Sequence, residues 1–254
     1  MSERMSRRRM IASLGAGAGG LLLGGCDRVA ASAAFRAADR AAQDLTQGAQ
    51  RLITHPQALA REFTLADLSP VFRVNGNAMP RAPAYQALLA NGFADWRLRV
   101  DGLVGRPLAV SLDQLRRLPQ RSQITRHDCV EGWSAIGQWT GPQLSLLLDA
   151  AGLRPEARYI VFHCADDFNG WPYYESIDLV DAFHPQTILA LALNRRPLPV
   201  GNGAPVRLRV ERQLGYKHAK FVMRIEAVAS FADIHRGQGG YWEDAAGYQW
   251  YAGI

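Results

Sequence analysis

The chain has 254 residues, 48% of them hydrophobic, with a formal net charge of +6. This length and composition predict one large globular domain, or one domain with an arm. Half of the positive charge comes from residues 1–25, and no stripe of basic and aromatic residues follows, which argues against nucleic-acid binding.

The N-terminal residues predict export. Arginines at positions 7–9 precede an apolar, glycine-rich run over residues 10–23 that is too short to span a bilayer as a helix. The arginines resemble a twin-arginine signal, which carries folded proteins across a membrane, and residues 23–26 (LGGC) resemble a bacterial lipobox. We therefore predict a signal over residues 1–25 and a periplasmic protein that is lipid-anchored to the inner membrane through Cys26. A plain membrane helix followed by a chance cysteine is the alternative.

Residues 26–70 predict an alanine-rich helical arm or linker. Apolar residues recur there at helical spacing as far as Ile53, and a helix lying on the membrane surface is the alternative. The prolines at positions 56 and 70 interrupt this stretch.

Residues 71–254 predict a single α+β domain. A capping box at Ser111 predicts a helix as far as Leu118, and Gly152 ends a second predicted helix over 142–151. Strands and helices mix without the regular alternation of a doubly wound sheet, and the chain has neither a dinucleotide-binding glycine motif nor a P-loop. The predicted strands cover 96–100, 159–164, 206–210 and 221–228.

One cysteine, Cys129, lies in the polar segment 126–133 (RHDCVEGW), after a strand-like run over 122–125. The adjacent Arg126 and His127 favour the thiolate, the form that attacks electrophiles or binds metals. No second cysteine lies near enough for a C-x-x-C pair. Cys129 is therefore a candidate nucleophile, or a single soft ligand to a metal that is held mainly by another group.

A second polar region comprises residues 201–207 (GNGAPVR) and 215–220 (GYKHAK). Glycines allow the backbone to approach a ligand closely, and the Asn, Arg, His and Lys side chains can donate to an anionic or heteroaromatic group. Taken alone, the same residues also fit a solvated basic turn.

Together, the segments 126–133, 202–207 and 215–220 resemble the molybdopterin-binding domain of the sulfite-oxidase family. The resemblance extends from about residue 71 to residue 234 and implies a sulfite-oxidase-type fold of mixed sheets with short helices. It implies that Cys129 is the catalytic cysteine and the protein's only ligand to molybdenum. The residues that it implies for molybdopterin binding are Asn75, Cys164, Asn202, Arg207, His218, Ala219 and Lys220; at Cys164 a relative has threonine.

The resemblance also implies oxygen-atom transfer, with reduction of an S- or N-oxide preferred and sulfite dehydrogenation as the alternative. Sulfite oxidases have an arginine directly before the asparagine that matches Asn75. Here that position is Val74, and Arg73 should face the other way on an extended segment. Aromatic residues over 171–174 and 241–251 could line an aperture or simply pack the tail onto the core.

The sequence contains neither a haem attachment motif nor the cysteine set of an iron–sulfur cluster. We therefore expect electron exchange with a separate carrier, in particular a haem-containing membrane cytochrome. No immunoglobulin-like dimerisation domain follows the predicted domain, so we expect a monomer.

Three other interpretations compete with this one. A zinc site could use His127, Cys129, His163 and Cys164, although adjacent residues on a strand point to opposite faces. Cys129 and Cys164 could instead form a disulfide in an oxidising compartment. The third alternative is a non-catalytic lipoprotein that binds a ligand or partner on the same fold.

Overall fold

The computed structural model describes residues 32–254, so the predicted signal and Cys26 lie outside the described residues. The chain divides into two compact units, one ending at Ile53 and the other beginning at Thr54. The division between these units falls between Ile53 and Thr54.

The described part of the first unit is one helix, α1 (Ala33–Ile53). The helix ends at Ile53, where the helical spacing of apolar residues in the sequence also ends. Leu45, Leu52 and Ile53 are exposed on this helix. Within residues 32–254, no helix is both long enough and apolar enough to cross a bilayer.

The second unit is built around a five-stranded sheet with the order β2-β1-β11-β5-β6. Strands β1 and β11 are parallel, and the other neighbouring pairs are antiparallel. The strands are β1 (Arg97–Gly102), β2 (Leu108–Ser111), β5 (Tyr159–Phe168), β6 (Trp171–Asp178) and β11 (Val222–Val228).

Two smaller sheets complete the strands of the unit. One has the order β3-β4-β8-β9, and the other pairs β7 with β10. Their bounds are β3 (Gln120–Cys129), β4 (Trp133–Pro142), β7 (Ile188–Ala190), β8 (Ala192–Leu193), β9 (Arg196–Pro197) and β10 (Arg207–Arg209).

The helices of this unit are short. They are α2 (Pro83–Ala90), α3 (Leu112–Arg117), α4 (Leu144–Ala151), α5 (Leu179–Ala182) and α6 (Tyr241–Ala246), with single 3₁₀ turns at Leu65–Asp67, Val200–Asn202 and Gly215–Lys217. Mixed sheets joined by short helices confirm the predicted α+β class.

The core lies against the five-stranded sheet and follows from the alternation seen in the sequence. Leu98 and Val100 on β1 are fully buried, whereas the arginines between and before them are exposed. Helix α4 packs its leucines into the same cluster and ends at Gly152, which adopts the left-handed conformation that glycine tolerates. The helix begins at Leu144, because Pro142 still belongs to β4.

Strand β3 positions the cysteine of interest. It pairs with β4 in unbroken register from Gln120 opposite Pro142 to Cys129 opposite Trp133. The strand therefore continues four residues beyond the predicted run 122–125 and ends at Cys129.

Candidate functional site

Cys129 is the last residue of β3, at the hairpin that leads into β4. The turn closes where Gly132 N donates to Cys129 O at 3.0 Å, and Gly132 has φ +85°, which favours glycine. Strand alternation places His127 and Cys129 on the same buried face of β3. Cys129 is 8% exposed and lines a cavity of about 150 Å³.

The structure brings half of the predicted site residues to this cavity. Asn75, Cys129, His218 and Lys220 line it, although they come from three separate parts of the chain. The other four predicted residues, Cys164, Asn202, Arg207 and Ala219, do not line it.

Lys220 joins two of the loops at the cavity. Its Nζ donates to the carbonyl oxygens of Asn75 at 2.6 Å and Gly201 at 2.9 Å, and to Asn77 at 2.5 Å. Burial, followed by the nearby Arg207, lowers the pKa of Lys220 to about 7. An anionic group in the cavity would counter both effects and favour the charged ammonium.

Arg207 lies just behind the cavity wall and is fully buried. It donates from Nη2 to Asn75 Oδ1 at 3.1 Å and from Nη1 to Asn202 O at 3.2 Å. Burial and the neighbouring Arg209 lower the pKa of Arg207 to about 9, so it stays charged at neutral pH.

Two buried donors beside the cavity have no partner within the described residues, Arg207 Nε and Asn202 Nδ2. An unpaired buried donor is costly, so these atoms suit a ligand that carries hydrogen-bond acceptors. Together with Lys220, this donor set fits a phosphate-bearing heteroaromatic cofactor. The residues present are thus chemically compatible with molybdopterin.

Cys164 and Ala219 stand apart from the cavity wall. Cys164 lies on β5 opposite Val222, its Sγ is 3.9 Å from Phe162 O, and burial raises its pKa well above the usual value. Ala219 already uses its backbone, because its N–H donates to Lys217 O and its carbonyl accepts from Leu208. Their predicted contacts with the cofactor remain predictions.

The expectation that Arg126 and His127 favour the thiolate of Cys129 is wrong, because neither side chain supplies a positive charge to the thiol. Arg126 is exposed and pairs with Asp128 at 2.9 Å. Burial, reinforced by Arg207 and Arg209, lowers the pKa of His127 well below its usual value, so the ring is neutral. Burial also raises the pKa of Cys129. A bound metal cation would favour the thiolate at this position.

Asp166 is a cavity residue that sequence reasoning missed. It is 4% exposed, its Oδ2 accepts from Asn77 Nδ2 at 3.1 Å, and its Oδ1 is buried without a partner within the described residues. Burial, the largest cause, raises the pKa of Asp166 to about 6. The pair Asp166-Asp167 was visible in the sequence, but the register shift between His163 and Asp167 that orients it was not.

Glu131 was also missed as a separate site residue. It lines the cavity two positions after Cys129, and its Oε2 accepts from Trp133 Nε1 at 3.0 Å. Its place within the quoted segment 126–133 was the only signal for it in the sequence.

The aromatic residues of the C-terminal stretch divide between the two roles considered for them. Trp242 and Tyr248 line the cavity, and so does Tyr173 of β6. Trp250 packs instead, with its Nε1 donating to Ser176 Oγ at 2.8 Å. Trp171 is 51% exposed and lies outside the cavity wall.

Neither the zinc site nor the disulfide that would have used Cys129 and Cys164 is seen within residues 32–254. Cys129 and Cys164 are both free thiols. His163 contacts Glu226 at 2.8 Å, and no group of three potential metal ligands among His, Cys, Asp and Glu occurs within that range.

A cavity that joins a strand-end thiol to surplus buried donors defines a cofactor-binding redox site on an α+β scaffold. Comparison with known proteins gives the family. The model of the oxidoreductase molybdopterin binding domain matches residues 86–234, and the chain belongs to this family. The resemblance to the sulfite-oxidase family and the expected fold are confirmed, and the protein is a molybdopterin-binding oxidoreductase.

Curated relatives carry related names. A protein of Azospira oryzae, provisionally named protein-methionine-sulfoxide reductase subunit YedZ1, is 45% identical over 160 residues, which is 63% of this chain and 56% of the relative. The protein-methionine-sulfoxide reductase catalytic subunit MsrP of Xanthomonas axonopodis is 35% identical, over 54% of this chain and 46% of the relative. This chain thus spans about half the length of the curated relatives that it matches.

Among solved structures, the sulfane dehydrogenase SoxCD from Paracoccus pantotrophus is similar with a TM-score of 0.50 and 25% identity. The match covers 54% of this chain and 39% of that one.

Proposed function

We propose that the protein is an exported molybdenum–molybdopterin enzyme that reduces S- or N-oxides by oxygen-atom transfer. The observation that carries the proposal is Cys129, placed at the end of β3 so that it faces the cavity. The names of the relatives support the reductive direction. When bound, the cofactor would supply a metal that cycles by two electrons and exchanges one oxygen atom.

The protein's own residues would hold that cofactor and shape the reaction space. Cys129 would be the metal ligand, and Asn75, Asn202, Arg207 and Lys220 would hold the pterin and its phosphate. The aromatic wall would limit the access of water.

Release of the oxide oxygen as water consumes two protons. Asp166 Oδ1 lies at the cavity without a partner in the described residues, and the pKa of Asp166 is raised to about 6. A carboxyl whose pKa lies near the working pH is suited to hold and deliver a proton, so we assign this role to Asp166.

The charge around the cavity favours a neutral substrate over the sulfite anion. Among the described residues that line the cavity, Lys220 is the only lysine or arginine, and it is bonded to three carbonyl groups. Arg73 and Val74 are both exposed and lie outside the lining.

The second candidate function is the oxidation of a sulfur compound, for example the dehydrogenation of sulfite. The structural similarity to a protein named as a sulfane dehydrogenase favours it.

One experiment separates the two candidates. The enzyme would be expressed with its maturation machinery, its molybdenum and pterin measured, and its turnover compared for dimethyl sulfoxide, methionine sulfoxide, trimethylamine N-oxide and sulfite. Reduction of oxides with a chemical donor supports the first candidate. Rapid sulfite oxidation without oxide reduction would overturn it.

Location and electron supply belong to the same proposal. The arginines at positions 7–9 and the lipobox-like residues 23–26 support export and anchoring at the periplasmic face of the inner membrane. A monomer exchanging electrons with a haem-containing membrane cytochrome, or another carrier, fits the sequence's lack of haem and iron–sulfur motifs. Lipid labelling of Cys26 and reduction by a purified cytochrome would test both parts, and direct exchange with quinone would contradict the second.

A further inference from the structure

The C-terminal segment, residues 240–254, lies beyond the stretch that matches the family model, yet it forms part of the cavity wall. Trp242 on α6 and Tyr248 after it stack with ring centroids 5.7 Å apart and an interplanar angle of 22°. Tyr248 also meets Tyr216 edge-on at 5.1 Å. This stacked pair therefore lies outside the residues that match the family model.

A buried charge cluster holds α6 beneath this wall. Lys217 Nζ lies 2.5 Å from Glu243 Oε1 and 2.7 Å from Glu175 Oε2, and all three side chains are at most 1% exposed. The contact with Glu243 is a hydrogen bond, whereas the one with Glu175 is a close contact without hydrogen-bond geometry. Glu175 and Lys217 lie on parts of the chain within the family match, and Glu243 lies on the C-terminal segment.

Burial and mutual proximity shift the pKa values of Glu175 and Lys217. Burial, and then the proximity of Glu243, raises the pKa of Glu175 well above its usual value. Burial alone would lower the pKa of Lys217, but the two carboxyl groups outweigh that effect and raise it. The surroundings therefore favour the ammonium form of Lys217 and the neutral form of Glu175, which reduces the uncompensated charge in the interior.

Gly240, the first residue of the C-terminal segment, packs tightly against the charge cluster. Gly240 forms a backbone bridge with Glu175, and a Cβ at Gly240 would lie 2.6 Å from Glu175 Oε2 and equally close to the Glu243 carboxyl carbon. Its backbone is extended, with φ −171°, so the lack of space rather than the conformation requires glycine there.

The end of the segment is bonded to the loop that leads into the cofactor-facing residues. Leu214 N donates to Ala252 O at 2.9 Å, and Ile254 N donates to Arg212 O at 3.0 Å. Tyr216 Oη donates to the Gln249 carbonyl at 2.6 Å. This loop continues directly into His218 and Lys220, which line the cavity. The hydrogen bonds therefore attach the C-terminal segment to this part of the cavity wall.

We propose that Trp242 and Tyr248 are specificity-determining residues that restrict the cavity to small, neutral methyl sulfoxides. Glu175, Lys217 and Glu243 are positioning residues that hold this wall. Flat aromatic faces suit a methyl group and a polarizable sulfur. The bound pterin would take up most of this cavity of about 150 Å³, so little space would remain beside the wall for a second ring. The substrate class rests on the proposed function, whereas the wall rests on the geometry alone.

Substitution of Trp242 by alanine tests the wall. Dimethyl sulfoxide and methyl phenyl sulfoxide would be compared on the holoenzyme, both by kcat/KM and by apparent affinity from ligand-induced shifts in Tm. Each readout gives a ratio of the value for methyl phenyl sulfoxide to the value for dimethyl sulfoxide. We expect both ratios to rise by about tenfold or more in Trp242→Ala. The matched control Trp171→Ala, which removes an exposed tryptophan outside the cavity, should leave both ratios unchanged.

The two readouts test the proposed role of the aromatic wall separately from the proposed reduction of oxides. Unchanged ratios in Trp242→Ala would overturn the wall, even when the wild type reduces sulfoxides. A shifted affinity ratio without any turnover by the wild type would support the wall and reject oxide reduction.

Hydrogen exchange tests the positioning cluster without reference to activity. The amides of Leu214 and Ile254 report directly on attachment of the segment. We expect their protection to fall about tenfold in Glu243→Gln and further in Glu243→Ala, because each removes the charged hydrogen-bond partner of Lys217. The Glu175 carboxyl group, which has no hydrogen-bond partner within the described residues, would be left to balance the ammonium. Equal protection in the wild type and Glu243→Gln would overturn the positioning role, and this comparison stands even where Glu243→Ala fails to fold.

Discussion

Arg209 Nη1 lies 2.9 Å from His127 Nδ1, and its Nε and Nη2 donate to the two carboxylate oxygens of Glu211 at 2.9 and 2.6 Å. A guanidinium can only donate, so His127 Nδ1 accepts and the ring proton resides on Nε2. Because His127 and Cys129 share the buried face of β3, this arginine fixes a ring two positions from the thiol.

Arg209→Met should lower the free energy of unfolding by about 3–5 kcal/mol, because the Glu211 carboxylate would remain buried without its cation. Urea denaturation measures the change. Arg116→Met is the control, since the pair of Arg116 with Asp113 lies on the surface and its loss should cost less than about 1 kcal/mol. Equal effects of the two substitutions would contradict the structural role of Arg209.

Gly215→Ala should disturb the same ring from the other side. The added Cβ would lie 2.5 Å from His127 Nε2 and 3.1 Å from Asp128 O, so strand β3 or the loop must shift. Overpacking of this kind typically costs about 1–3 kcal/mol, and it should also lower cofactor content. Thermal denaturation and metal analysis check both effects. Gly105→Ala, which meets its nearest atom at 3.5 Å, should leave both unchanged.

Those parts of the fold that depend on neighbours in sequence could be predicted. The capping box of α3 closes between Ser111 and Gln114 in both directions, because both partners lie within one turn. The extension of β3 to Cys129 could not be predicted in this way, since it depends on pairing with β4 rather than on the propensities of the charged residues 126–128.

The cavity depends on contacts between distant residues. Arg207 reaches Asn75 across 132 positions, and Lys217 reaches Glu243 across 26. The resemblance to a family selected Asn75 and Arg207, but no local pattern pointed to Glu243 or to Asp166. The orientation of Asp166 depends on an irregularity in the pairing of β5 with β6.

Asp166→Asn should stabilise the cofactor-free protein at neutral pH but not in acid. The folded pKa of Asp166 is about 6 against an ordinary 3.8, so the folded state holds this proton more tightly than the unfolded chain. That contribution to stability is fully present below about pH 4 and is lost as the pH rises through 6. The free energy of unfolding of the variant relative to the wild type should rise by about 1–3 kcal/mol between pH 4 and 8.

The charged and titratable groups around Asp166 are Lys220, Asp167, Cys164, Tyr173 and Tyr85. The Asp166 carboxylate raises the pKa of Lys220, which is about 7, so the difference between variant and wild type reports these two coupled groups together. Asp149→Asn, at an exposed carboxyl, should show no such pH dependence. A pH-independent difference between Asp166→Asn and the wild type would show that burial does not raise this pKa.

Cys129→Ser should abolish oxidoreductase activity and lower the molybdenum content, while leaving the fold intact. A serine oxygen is a harder ligand than a thiolate and replaces a side chain at a strand end, so the free energy of unfolding should change by less than about 2 kcal/mol. Activity, metal analysis and circular dichroism measure the three effects. Ser122→Ala is the control, because Ser122 is exposed on the same strand outside the cavity wall and its replacement should retain the metal. Full activity in Cys129→Ser would contradict the assigned role of this cysteine as metal ligand.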